Sequence, residues 1–137
     1  MILVTDASAW LGMVSADEDA AYALAVAAAC VATGPKVPAI FWFEVRHVLI
    51  RGERQGRVTR AGSEALLRAL GAARPDAEPQ PPEEPTLRLA RHHNLSVYDA
   101  SYLGLAARLG ATLATLDRKL ARAAAAEGVR LFEPAHR

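Results

Sequence analysis

Asp6, Glu44, Asp99 and Asp117 are the residues whose types and surroundings point most clearly to chemistry. Asp6 closes the run Met1-Ile2-Leu3-Val4-Thr5, and Asp117 closes Ala111-Thr112-Leu113-Ala114-Thr115-Leu116 in the same way. Such short apolar runs read as strands buried on both faces of a parallel sheet, and ligands of open α/β sheets bind at the carboxyl ends of the strands. Glu44 interrupts an apolar helical stripe of Phe41, Val45, Val48 and Leu49, where a charge is costly unless it is paired or bound to metal. Asp99 falls in the first turn of a helix beginning at about Val97. Brought together, the four make a dense negative pocket in which repulsion and desolvation raise each pKa unless cations enter. Mg²⁺ or Mn²⁺ suits such oxygen donors, and one or two of these ions support phosphodiester hydrolysis by activating water. Ser8, Thr115 and Ser101 offer hydroxyls that can orient the carboxylates or hold water.

Each acid also has a plainer role. Asp6 and Asp117 sit where a strand hands over to a helix and can serve as N-caps. Asp99 is favoured in a first turn by the helix dipole, and Glu44 can tilt to the rim of its stripe. The hydroxyls can equally be caps, and His47, His92 and His93 read as surface histidines. The recurrence of acids at matching strand ends is what favours a common site.

The elements that must position these groups follow from periodicity and punctuation. A short helical turn at Ser8–Gly12, with Asp6 or Ser8 as its cap, follows the first strand. Asp17-Glu18-Asp19 opens an alanine-rich helix that Gly34-Pro35 stops. Val37-Pro38-Ala39 fits a short strand, and an amphipathic helix runs from about Ile40 to Arg54. Another spans Thr59 to Ala73, capped by Thr59 or Ser63. Pro75 to Pro85 holds five of the eight prolines and reads as a loop, with room for an edge strand. A short helix from Pro85 to Arg91 ends at His92-His93-Asn94. A helix from Val97, on which Tyr98, Tyr102, Leu105 and Leu109 share a face, closes at Gly110. Then come the strand Ala111–Thr115, a helix from Arg118 to Glu127, and a last strand from Val129 to Phe132. The order of strands and helices implies a parallel sheet of four to five strands covered on both faces by helices, residues 1–137 forming one domain.

With 52% apolar and 23% charged residues, the chain has a globular composition. No apolar run suits a bilayer span, and a strand starting at Ile2 leaves no room for a leader. Cys30 cannot form an internal disulfide and reads as a small buried hydrophobe. A soluble cytoplasmic protein is expected. The net charge of +1 does not by itself mark a nucleic-acid binder, but Arg46 to Arg60 carries five arginines against Glu53 alone. Arg46, Arg51 and Arg54 are therefore candidate contacts to RNA or to a protein partner, or simply a solvated face. Phosphate-binding glycine loops, zinc spacings and the Gly-x-Ser-x-Gly elbow are all missing from the sequence.

Val4-Thr5-Asp6-Ala7-Ser8, Val37-Pro38 followed by Phe43-Glu44-Val45, Tyr98-Asp99-Ala100 with Tyr102-Leu103, and Thr115-Leu116-Asp117 together resemble the PIN-domain family. Within it they are similar to the VapC-type toxins of bacterial and archaeal toxin-antitoxin pairs. The resemblance covers nearly the whole chain. It implies a PIN-like α/β/α sandwich and a Mg²⁺- or Mn²⁺-dependent endoribonuclease, usually a homodimer, held inactive by a small cognate antitoxin. It also implies that Asp6, Glu44, Asp99 and Asp117 are the metal-binding acidic quartet, with Asp6 and Asp99 foremost. His47 stands where such proteins often carry asparagine. Two alternatives are a catalytically degenerate PIN-like binding module and a haloacid-dehalogenase-like phosphatase; the latter wants an acid at position 8, which here is Ser8.

Overall fold

Strand β1 (Leu3–Thr5), the apolar run before Asp6, is the central strand of the fold. It leads into a 3-10 segment (Ser8–Met13), α1 (Ala20–Thr33) and β2 (Lys36–Pro38). The chain continues through α2 (Phe41–Arg54), α3 (Arg60–Ala73), β3 (Asp76–Glu78), α4 (Glu83–His93) and α5 (Val97–Leu109). It ends with β4 (Thr112–Ala114), α6 (Arg118–Ala126) and β5 (Arg130–Leu131). The structure, a computed structural model, describes residues 1–15 and 19–134. The expected helix-opening acids Asp17 and Glu18 lie outside the described residues.

The sheet is parallel throughout, in the order β3-β2-β1-β4-β5. Its winding reverses between β1 and β4, so the crevice of this doubly wound sheet opens past their carboxyl ends. Every residue of β1 and β4 is buried, as their unbroken apolar runs require of strands covered on both faces. Thr5 pairs with Ala114, and the Asp6 N–H donates to the Ala114 carbonyl at 3.1 Å. That register sets Asp6 directly beside Thr115.

Helices flank the sheet as the fold class demands. α5 packs on β1, β2 and β4, and its run Ala100–Ala106 is buried without a break. Tyr102 and Leu105 lie in that buried run, while Tyr98 and Leu109 emerge at the two ends of the helix. α1 packs against β1, α3 and the 3-10 segment. A Cβ on Gly12 would collide with the Asp19 carbonyl, so the close seating of that segment on the start of α1 depends on glycine. Trp10 is fully buried beneath β1, its indole N–H donating to Thr5 Oγ1 at 3.1 Å. Cys30 is buried within α1, and burial pushes its thiol up to about 12.

Boundaries shifted where local signals were weak. The proline-rich stretch contains β3, an edge strand in register with β2 and pinned by a Lys36–Asp76 ion pair at 2.6 Å. α4 begins at Glu83, two residues before Pro85, because proline needs no N–H in a first turn and is tolerated there. Among the described residues no helix is long and apolar enough to cross a membrane.

Candidate active site: an acidic mouth at the carboxyl edge of the sheet

Three of the four carboxylates follow strand ends, and the fourth starts α5. Asp6 comes directly after β1. Glu44 lies in the first turn of α2, after β2. Asp117 is the N-cap of α6, after β4. Asp99 occupies the first turn of α5, where its N–H donates to the cap hydroxyl of Ser96 at 3.0 Å. Asp99 is the electrostatic centre, since Asp6, Glu44 and Asp117 are each coupled to it by like-charge repulsion.

Asp6 is the most deeply placed, at 6% exposure. Its Oδ1 accepts from Ser8 Oγ at 2.7 Å and from the Ala9 N–H at 3.1 Å. Its Oδ2 accepts a short hydrogen bond from Thr115 Oγ1. Burial still outweighs these donors and pushes its carboxyl up to about 6, because desolvation disfavours the charged form. Ser8 Oγ also accepts from the Leu116 N–H at 2.9 Å, and Thr115 Oγ1 accepts from the Asp117 N–H at 3.0 Å. These two hydroxyls therefore tie the end of β1 to the loop after β4. Ser101 does something else, its hydroxyl donating a hydrogen bond to the Tyr98 carbonyl at 2.6 Å.

Asp117 caps α6 through Oδ1 alone, which accepts from the Lys119 and Leu120 N–H groups at 2.9 and 3.0 Å. Capping and a place in the mouth thus coexist in one side chain. Burial first, then the Asp117 charge, raises the Asp99 carboxyl, with Ser96 and Lys119 opposing. Burial likewise raises Glu44, and Asp99 adds to it. Glu44 is half-buried near the helix start rather than midway along the stripe. Its Oε1 and the Tyr102 hydroxyl are both buried and influence one another's titration, yet neither has a hydrogen-bond partner of acceptable geometry. A buried carboxylate oxygen without a donor is a lone pair left for a cation. The donor set of the mouth is entirely carboxylate oxygen, which fits a hard divalent ion. No three of the four carboxylates bring ligand oxygens within 4.8 Å of one another; among the described residues only His92, His93 and Glu127 do so.

Three contributors were not singled out as site residues by the sequence. Tyr102 becomes a neighbour of Glu44 only when α5 meets α2. The Tyr22 hydroxyl on α1 donates to the Thr115 carbonyl at 3.3 Å and accepts from its N–H at 3.2 Å, anchoring the loop that holds Asp117. Lys119 stands beside Asp99 as a counter-charge; its place two residues after Asp117 was the one available hint. Arg46, Arg51 and Arg54 are all solvent-exposed, and the Arg46 guanidinium lies 5.5 Å from the Trp42 ring centroid. Arg51 follows Glu44 by seven residues, so it shares that helix face about 10 Å further on.

A parallel sheet with its crevice at the β1/β4 switch, and an acidic mouth there centred on a helix-start aspartate, defines an α/β/α class with an anionic cleft at the carboxyl edge of the sheet. The chain belongs to the PIN domain family, whose model matches residues 3–126. PIN domains are in general nucleases, with divalent metals as their usual cofactors. A solved structure, that of PAE2754 from Pyrobaculum aerophilum, is similar at 27% identity and a TM-score of 0.69. The similarity covers 90% of this chain and 86% of that one. None of the curated proteins compared with the chain matches it. The haloacid-dehalogenase alternative has no support from the family, and Ser8 is spent on holding Asp6 and the Leu116 amide.

Proposed function

We propose that the protein is a Mg²⁺- or Mn²⁺-dependent endoribonuclease, the toxin of a toxin-antitoxin pair, inhibited by a small cognate antitoxin and working in the cytoplasm as a homodimer. The observation that carries the nuclease reading is the coupling of Asp6, Glu44 and Asp117 to Asp99 at one sheet edge, with a buried Glu44 oxygen left unpartnered. The toxin role rests on the resemblance of the Asp6, Glu44, Asp99 and Asp117 motifs to VapC-type proteins.

Asp6, Asp99 and Asp117, with Glu44, would hold the ion. When bound, it supplies Lewis acidity and a water of lowered pKa for attack on a phosphodiester. The protein's own contribution is positional. Ser8, Thr115 and the Ala9 N–H fix the Asp6 carboxylate, and the Ser96 cap fixes the turn bearing Asp99. Asp117 keeps Oδ2 free of the capping bonds. The N-termini of α2, α5 and α6 all face the mouth, and their dipoles favour a phosphate there. Arg51 and His47 follow Glu44 along α2 and suit the next stretch of backbone, whereas Arg46 is turned toward Trp42. Phe43 and Tyr98, 68% and 58% exposed, each adjoin a mouth carboxylate in sequence. They line a cavity of about 300 Å³ with Pro38, Ile40, Pro81 and Val97, an apolar rim suited to a stacked base of single-stranded RNA or to a covering partner chain.

An ion that binds only the folded state must raise its melting temperature. Mg²⁺ or Mn²⁺ added after EDTA is expected to raise Tm by several degrees in wild type and not in the Asp6→Asn/Asp99→Asn double variant. An equal shift in both proteins, or none in wild type, would remove the metal from the account.

A further inference from the structure

At the far end of α6 from Asp117, a second group of ligand-type side chains converges, drawn from two helices that are distant in sequence. His92 and His93 end α4, and Glu127 follows the last residue of α6. One ligand atom from each lies within 4.8 Å of the other two. His93 Nε2 is 2.8 Å from Glu127 Oε2, with their side chains only 11% and 20% exposed. Adjacent helical residues point about 100° apart and do not normally meet, yet here the two imidazoles stand edge to face with centroids 4.6 Å apart. Both sit at the terminus of α4, where Asn94 turns into the left-handed region at φ 52° and the last carbonyls favour cationic groups. Glu127 is held in place by the turn into Gly128, φ +74°, which only glycine adopts readily. Arg88 is a further polar neighbour, its guanidinium meeting Glu127 Oε1 at 3.3 Å, and Glu84 and Arg91 line the same cavity as His92.

We propose that His92, His93 and Glu127 form a second cation site, for a borderline divalent transition ion of the Zn²⁺ type, that clasps α4 to the end of α6. The donor set separates it from the acidic mouth. Two imidazoles and one carboxylate suit Zn²⁺, while Mg²⁺ prefers oxygen donors and its own waters. Tetrahedral Zn–N and Zn–O bonds of about 2.0–2.1 Å place ligand atoms roughly 3.3 Å apart. The 2.8 Å pair needs only to open by about half an ångström, and the third ligand to close by rotamer adjustment on an exposed side chain. Three protein ligands leave one position for water. Glu127 lies ten positions after Asp117, across the nine residues of α6 and about 15 Å at the helical rise, so an ion here cannot serve the chemistry at the mouth. Arg88 opposes the ion by occupying the same carboxylate.

The test is a titration of the full-length, untagged, EDTA-stripped chain with Zn²⁺, and with Co²⁺ as a visible-absorption probe, in excess Mg²⁺. The expected result is saturable binding with a tetrahedral Co²⁺ spectrum and a raised Tm. His92→Ala and Glu127→Gln should each weaken that binding by at least about tenfold, and Arg88→Ala should tighten it. His92 is exposed, so its loss leaves the core intact. Absence of saturable binding, or binding that His92→Ala and Glu127→Gln leave unchanged, overturns the proposal. Weakening by Arg88→Ala together with weakening by Glu127→Gln also overturns it, since the trio would then be only an ion-pair network.

Discussion

Asp6 shows what a buried carboxylate costs. Three donors converge on it, yet burial lifts its pKa from 3.8 to about 6, so the folded chain holds the proton more tightly than the unfolded one. The stability linked to that proton is fully present below about pH 4 and is lost as the pH rises through about 6. At pH 7.5 the ionised group costs the metal-free fold on the order of 3 kcal/mol. Asp6→Asn is a neutral isostere, so in EDTA at pH 7.5 it should raise unfolding stability by about 1–3 kcal/mol. At pH 4 most of that gain should vanish. Urea unfolding of both proteins at the two pH values checks this; a variant equally destabilised at both would show that hydrogen bonding, not charge, dominates at position 6. Asp6 was legible because an apolar run stopped at it. Tyr102 and Tyr22 were not, since an apolar helix face tells nothing of which distant carboxylate or loop its tyrosine will meet.

Caps carry much of the order at the mouth. Ser96 Oγ accepts from the N–H of Asp99 itself, so it holds both the start of α5 and the residue at the electrostatic centre. Ser96→Ala should cost about 1 kcal/mol and lower activity by about tenfold or more, because small displacements of a reacting constellation are expensive. Thr59→Ala removes the equivalent cap of α3, which accepts from Gly62 N–H at 3.0 Å. It should cost similar stability and leave turnover per folded molecule nearly unchanged, a comparison that chemical denaturation and initial rates on the two variants can make. Helices announced themselves through such residues: Thr59 and Gly110 cap where expected. β3 was only allowed for, not located, because three residues with one apolar member, set between prolines, carry no periodicity. Its evidence is its partner β2, and pairing is a tertiary fact.

For the whole molecule, strand order decides function. The reversal between β1 and β4 puts two strand ends side by side, and α2 and α5 start at the same edge. Four acids separated by up to 111 positions thereby face one mouth. The parallel sheet and its helical cover were legible from buried runs alternating with amphipathic ones. Strand order was not, and neither was the convergence of α4 with α6 that brings His92 and His93 to Glu127, since contacts between distant helices leave no local mark. In the proposed function the mouth hydrolyses RNA with a divalent ion. Its most direct test follows cleavage of an end-labelled single-stranded RNA by wild type and Asp99→Asn, each in Mn²⁺ and in EDTA. Wild type in Mn²⁺ should cleave, while EDTA or Asp99→Asn should each lower the rate by at least about a hundredfold. Undiminished cleavage in EDTA or by Asp99→Asn, or no cleavage by wild type in Mn²⁺, would contradict it.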